Sequence, residues 1–263
     1  METATPKMSL APVFYTLAQV QFNPIAQMSD YVAHMQERLR RSGFPDFQSE
    51  NQFELTIRRL DESQPDVQPQ QHVRWSFMNV QRTEGYLLLS NALVFHTTTY
   101  DTFSDFLRKT ISGLKLVHEI VELAYIERVG LRYLDAIVPI DNDTLQQYLN
   151  PSLLGFSANL DGRLNHSFTE TVTVVENGNL VARALITDGA LALSPDLITL
   201  QLELQARFKE INGRNAVLDT DYFVAKRTSF DLKEIEDQFL KSHDIITNAF
   251  KVSVTDYARE KWA

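Results

Sequence analysis

The sequence predicts an α+β protein built as two tandem β-α-β4-α halves, with an antiparallel sheet and helices packed on one face. Three observations predict it. Short segments alternate apolar and polar residues with a period of two, the pattern of strands with one buried face. Longer segments repeat apolar residues at helical spacing. The order strand, helix, four strands, helix occurs twice, offset by roughly 110 to 130 residues, far longer than a solenoid repeat.

The elements follow in chain order. Val13 to Phe22 is apolar, aromatic and Thr-rich and stops at Asn23-Pro24, so it reads as a strand. Ser29 or Asp30 then caps a helix to about Ser42, with Gly43 just beyond it. Tyr31, Val32, Met35 and Leu39 form its apolar face. Phe53, Leu55 and Ile57 alternate as a second strand. Asp61 to Gln71, with its Pro, Gln and acidic residues, reads as a loop. Val73, Trp75 and Phe77 alternate again, and Tyr86 to Leu89 and Leu93 to Thr98 are strands broken at Ser90-Asn91. Asp101 caps a long helix whose Phe103, Phe106, Leu107, Leu114, Val117 and Val121 form a stripe that packs on the sheet.

The second series begins with a long strand, Tyr125 to Val138, and a short helix, Asp143 to Leu149, stopped by Asn150-Pro151. Phe168 to Val175 and Leu180 to Thr187 form a hairpin over Asn177-Gly178. Ile198, Leu200, Leu202 and Leu204 alternate strictly with polar residues as a further strand, and Val217 to Val224 follows as another. Asp231 and Glu234 make a capping box for the last helix, with Leu232, Ile235, Phe239, Ile246 and Phe250 on its apolar face. The organisation is thus a flexible tail over 1–12, a first half over 13–123 and a second over 124–263, fused into one unit. The halves of the TATA-binding-protein saddle have a similar element order. A single sheet of another topology, such as a helix-grip fold, is the alternative.

Composition narrows the function classes. The 263 residues are 44% hydrophobic and 22% charged, ordinary values for a globular protein with a large core. With no Cys, the chain has no disulfide, thiolate metal site or thiol nucleophile. The first residues carry no apolar leader and no run reaches membrane-spanning length, so a cytoplasmic protein is expected. A net charge of −9 opposes a long phosphate backbone and disfavours nucleic acid as a partner.

Few residues offer chemistry. His118-Glu119-Ile120-Val121-Glu122 has a zincin-like start, but Glu122 stands where the second His is required, so it reads as an exposed helix flank. His243 sits beside the apolar face of the last helix and reads as a packing residue. Gly-rich phosphate loops and dinucleotide fingerprints are absent, so no nucleotide cofactor, catalytic residue or metal site is assigned. Arg38, Arg40 and Arg41 suit a helix C-terminus, and Arg58 and Arg59 form a small basic pair on a strand. Asp219 and Asp221 share one strand face, as do Arg128 and Arg132 on another strand. The favoured reading joins them in a structural Arg–Asp network; a ligand site or a metal-assisted acid–base centre are the alternatives.

Glu127-Arg128-Val129-Gly130-Leu131-Arg132-Tyr133-Leu134 resembles the central strand of a sporadically distributed, largely uncharacterised bacterial family of about this length. Its members are similar at the first strand, Leu10 to Phe22, at a Leu-Asp-x-Asp strand, here Leu218 to Asp221, and at a late helix bearing a His, here His243. They often carry Asn where this chain has Asp135. The resemblance implies no particular activity. It draws Arg128, Arg132, Tyr133, Asp219 and Asp221 together as a candidate binding cluster, and its patchy distribution is similar to that of mobile-element and antiphage defence genes. The function expected from all this is a non-enzymatic binding protein, a sensor or adaptor with a protein partner. A metal-assisted hydrolase and a nucleic-acid-binding saddle are the alternatives. Long sheet edges would also allow a homo-oligomer.

Overall fold

A computed structural model describes residues 10–58, 66–156, 160–194, 197 and 202–263, with the backbone alone over 52–58 and 66–72. The fold is α+β around one antiparallel sheet of nine strands, ordered β2-β3-β4-β5-β1-β6-β9-β8-β7. The strands are β1 (Val13–Phe22), β2 (Asp46–Arg58), β3 (Asp66–Met78), β4 (Glu84–Leu89), β5 (Ala92–Thr97), β6 (Tyr125–Ile137), β7 (His166–Val175), β8 (Gly178–Gly189) and β9 (Gly213–Ser229). The helices are α1 (Met28–Arg41), α2 (Phe103–Val121), α3 (Leu145–Tyr148), α4 (Ala206–Lys209), α5 (Leu232–Ser253) and α6 (Asp256–Trp262). Strand β1 pairs with β6 in register Thr16↔Tyr133, so strands from the beginning and the middle of the chain share one ladder.

The central strands turn alternate residues to the two faces of the sheet, which are covered differently. On one face, Ala18, Val20 and Phe22 of β1, Phe95 of β5 and Leu131 of β6 meet Met28, Val32 and Met35 of α1, Leu114 and Val117 of α2, and Phe239 of α5. The same face continues under α3 and α6 through Ile137, Ala216 and Leu218, which pack with Tyr148 and Trp262. The opposite face is covered at one end by the crossover between β8 and β9, whose Leu202 and Phe208 pack on Tyr15, Leu134, Leu185 and Val217. The short α4 belongs to this crossover.

Several expectations are corrected. The first helix begins at Met28, and its N-cap Gln27 makes no side-chain bond, because burial of Met28 draws the start of the helix into the core. Asp30 remains in the first turn, where its charge suits the helix dipole. The long helix is capped by Thr102, whose hydroxyl accepts from the Asp105 N–H, and not by Asp101. Of the loop expected from Asp61 to Gln71, the part from Asp66 on is strand, paired with β2 as far as Arg58↔Asp66. Pro69 is accepted there because β4 pairs only with Trp75–Met78, which leaves that side of β3 without a neighbour. The rest of that loop, with Arg59, lies outside the described residues, as do Met1 to Ser9 of the tail.

The β7–β8 loop is Glu176-Asn177, one residue earlier than expected; Glu176 supplies the left-handed backbone at φ 52°, and Gly178 already pairs with Val175. Of the strand expected at Ile198 to Leu204, residues 198–201 lie outside the described residues and Leu202 to Gln205 are not in a strand. The backbone there serves a loop junction instead. The Glu203 N–H donates to the Arg82 carbonyl at 2.7 Å, and Thr98 Oγ1 donates to the Glu203 carbonyl at 2.6 Å. The helix capped by Asp231 is not the last, since Thr255 caps α6 beyond it.

One packing contact sets a sign that propensity alone gets wrong. Gly113 lies inside α2, where Ala is normally better by about 1 kcal/mol. A Cβ there would stand 2.2 Å from Tyr86 Cε1, and Tyr86 is anchored by its hydroxyl to the Lys109 carbonyl at 2.7 Å. Gly113→Ala is expected to lower the unfolding free energy by about 1–3 kcal/mol in chemical denaturation, the cost of overpacking; a gain in stability would contradict this packing.

Candidate functional site

Strand β9 carries Asp219 and Asp221 on the face away from the long helices, opposite Leu134 and Arg132 of β6. Asp219 is fully buried. Its carboxylate accepts a bidentate pair from Arg132, Nε to Oδ1 and Nη2 to Oδ2, both at 2.6 Å. Arg183 Nη1 on β8 adds a third bond at 3.3 Å, and Ser194 Oγ of the crossover donates a fourth. Arg183 is itself held by Glu170 of β7 at 2.6 Å. A buried carboxylate is costly unless its lone pairs are taken up; here β6, β8 and the crossover supply the donors.

Asp221 differs. It stands at the margin of the covered zone, and burial raises its pKa against the opposing pull of Arg128 and Arg132. Arg128 approaches it at 3.7 Å, donates to Gln19 Oε1, and lies 4.3 Å over the Phe223 ring. Gly130 makes room for that guanidinium: a Cβ there would be 2.8 Å from Arg128 Nη1. The Arg-x-Gly-Leu-Arg-Tyr stretch therefore has a physical reading at each place. Arg128 folds over Gly130, Leu131 fills the core, and Arg132 neutralises Asp219.

Tyr133 does not join this cluster. Alternation turns it to the helix face, where its hydroxyl bonds Tyr100 at 3.2 Å and His243 Nδ1 at 3.3 Å. His243 stacks on Phe103 at 3.9 Å, and burial lowers its pKa, so it is a neutral packing residue at neutral pH. The five residues grouped by the resemblance thus divide between the two faces, Arg128, Arg132, Asp219 and Asp221 on one and Tyr133 on the other. Pattern reading missed Arg183, Glu170 and Ser194. The first two sit on alternating strands and carried a face signal; Ser194 sits in the crossover and carried none.

The zincin-like stretch is structural. His118 stacks on Phe230 at 4.0 Å, Glu119 pairs with Arg38 at 2.7 Å, and Glu122 ends the helix in left-handed geometry. Arg40 and Arg41 both pair with Glu37. Among the described residues no group of three His, Asp or Glu side chains is placed to hold a metal ion. A cleft of about 700 Å³ lies beside the β6–α3 connection, lined by Val138, Leu145, Leu164, Ile186, Arg163 and Arg214 among others. Several of its charges are engaged, Arg163 with Asp188 at 2.9 Å, Arg214 Nη2 with the Leu164 carbonyl at 2.8 Å, and Asp143 with Tyr148 and Tyr257, both at 2.9 Å, while Asp141 also lines it and Arg214 Nη1 is buried with no hydrogen-bond partner among the described residues. His96, buried under the crossover end, accepts or donates through Nδ1 to Tyr15 at 2.9 Å, and burial drives its pKa down to about 3.

No protein-family model matches the chain, and comparison with curated proteins gives no significant match. The residues themselves therefore carry the functional argument.

Asp135, on the helix face, is the buried acid without such neutralisation. Burial first, then the nearby Asp219, push its pKa up to about 7. An acid with a raised folded pKa holds its proton in the folded state while the unfolded chain has lost it, so stability falls as pH rises between about 4 and 7. Asp135→Asn is expected to leave the melting temperature nearly unchanged at pH 4 and to raise stability at pH 8 by on the order of 2–4 kcal/mol. Equal effects at both pH values would show that Asp135 does not titrate in this way.

Proposed function

We propose that this protein is a non-enzymatic binding protein, a sensor or adaptor, which takes a protein partner on the uncovered part of the sheet face opposite the helices. The observation that carries the reading is a row across six strands on that face, Val94, Gln19, Gly130, Phe223, Asn179 and Val174, in which Gln19, Phe223, Asn179 and Val174 are partly or fully exposed and Val94 and Gly130 are buried. Arg128, stacked on Phe223, and Asp221 provide polar features beside it, and Val174 at the far end is 74% exposed. A broad mixed surface built on a rigid sheet suits a protein partner better than a small substrate, which requires a pocket with convergent free polar groups.

The metal-assisted hydrolase reading loses its support, because Asp219 spends its lone pairs on Arg132, Arg183 and Ser194. The nucleic-acid reading meets the net charge of −9 and the acidic Asp221 and Glu170 on the face in question. We read the scaffold itself as a fused pair of related halves. In support, β1 and β6 lie side by side at the centre, with β5, β4, β3 and β2 running outward on one side and β9, β8 and β7 on the other. The saddle-like element order belongs to the same reading. The sporadic family that the central strand resembles adds a mobile-element or antiphage defence setting to the proposal. No helix among the described residues is long and apolar enough to cross a membrane.

Ala225 is exposed and stands opposite Arg128 on this face. Affinity capture from native cells is expected to recover a stoichiometric protein with the natural chain and to lose it with Ala225→Arg, while the melting temperature stays within about 2 °C, as for a surface change. Recovery of no partner, or recovery indifferent to Ala225→Arg, would overturn the proposal.

A further inference from the structure

Strand β7 ends the sheet and is exposed on both faces. Phe168, Val172 and Val174 are 48%, 59% and 74% exposed, and all lie on the face opposite the helices. Between them, Thr169, Thr171 and Thr173 line the other face. Edge strands are normally guarded by Lys, Pro, bulges or a covering element. His166–Val175 contains no Lys and no Pro, and pairs with β8 through ten residues without a shift. The other edge, β2, carries Asp46, Glu50, Glu54 and Arg58. The single carboxylate of β7, Glu170, is already neutralised by Arg183.

We infer that the protein forms a twofold dimer in which β7 pairs antiparallel with β7 of a second copy, joining two sheets into one. This goes beyond the binding reading above and does not depend on it, since it concerns an edge and not the sheet face.

The backbone fixes which residues can pair. A two-residue loop closes on a hydrogen-bonded pair, here Val175 and Gly178, so every second residue back from Val175 spends its N–H and C=O on β8. Phe168, Glu170, Val172 and Val174 direct theirs outward. A twofold axis perpendicular to the sheet sets residues of the same face opposite each other, which allows the axis to pass through Glu170, Thr171 or Val172. An axis at Glu170 opposes two carboxylates, and one at Val172 opposes Phe168 to Glu176. An axis at Thr171 opposes Phe168 to Val174 twice, Thr169 to Thr173 twice, Thr171 to itself, and Glu170 to Val172 twice, where each carboxylate stays paired with Arg183 of its own chain. Aromatic–β-branched and Thr–Thr pairs are the favourable cross-strand combinations. The edge is therefore complementary to itself in one register, which selects a second copy over an unrelated strand as its occupant.

The absence of Cys makes the register testable. Thr171 faces its own counterpart in a non-hydrogen-bonded pair, with Cα atoms about 4.5 Å apart, within the span of a disulfide. Light scattering on the full chain is expected to give twice the 30.1 kDa of one chain at submillimolar concentration. Thr171→Cys is expected to form a reducible covalent dimer under mild oxidation. Thr173→Cys alone should not, whereas Thr169→Cys with Thr173→Cys should. Val172→Pro removes an outward N–H and leaves the β8 ladder whole, so it should give a folded monomer. Thr171→Lys, an exposed position that would set two like charges against each other at the twofold axis, should do the same and covers the case in which the proline variant misfolds. A natural chain that stays monomeric at every concentration overturns the inference. So does a dimer that Thr171→Cys fails to lock and Thr171→Lys fails to dissociate. Loss of partner capture in Ala225→Arg with the dimer intact would separate this edge from the face described above.

Discussion

A single buried charge organises the later half of the sheet. Asp219 has no exposed surface, and a carboxylate placed there without compensation would cost several kcal/mol. Four donors from Arg132, Arg183 and Ser194 meet it, and they come from β6, β8 and the crossover between β8 and β9. The ion pair thus does more than neutralise. It fixes β6, β9 and β8 in register relative to one another, and it ties down the crossover at Ser194, whose apolar residues close that end of the sheet over Tyr15, Leu134 and Val217. The chain extends this arrangement outward through Arg183 to Glu170 on the edge strand.

The same constraint separates structure from function on one strand. Within β6, alternation sends Arg128 and Arg132 to the face opposite the helices and Tyr133 to the helix face. Arg132 is spent on Asp219, Tyr133 on Tyr100 and His243, and only Arg128 keeps part of its surface in solvent. Catalysis needs a group that is both accessible and free to exchange partners. Asp219 has neither property, because it is buried and held by Arg132, Arg183 and Ser194, whereas Asp221 is partly exposed beside Arg128, which is stacked on Phe223 and bonded to Gln19.

Most of the scaffold was legible in the sequence because its strands bury one face and expose the other. Alternation in Val73, Trp75 and Phe77, the stripe through Phe106, Leu114 and Val117, and the Asp231 cap all correspond to elements of the fold. The failures have local causes. The Pro and acidic residues from Asp66 to Pro69 signal a loop, yet a long register with β2 overrides them where β4 no longer pairs. Leu202 and Leu204 alternate like a strand, but the backbone of Glu203 between them is bonded to Arg82 and Thr98 across a loop junction, which no local pattern encodes. The Arg–Asp pairing was legible in part, since two residues on one face of each strand are enough to suggest it. Its closure by Ser194 and Arg183 depends on the order of strands in the sheet. Exposure of β7 was hidden for the same reason: Phe168, Val172 and Val174 alternate like any half-buried strand, and only its position at the edge leaves them bare.

The claim that Asp219 is a structural charge is tested most directly by a double-mutant cycle of Arg132→Met and Asp219→Leu, read by equilibrium denaturation. Removing either partner strands the other in the sheet, so each single change is expected to cost about 3–5 kcal/mol. The double change should cost less than the sum by at least about 2 kcal/mol. Additive single effects below about 1 kcal/mol would contradict the account and return Asp219 to the residues available for chemistry.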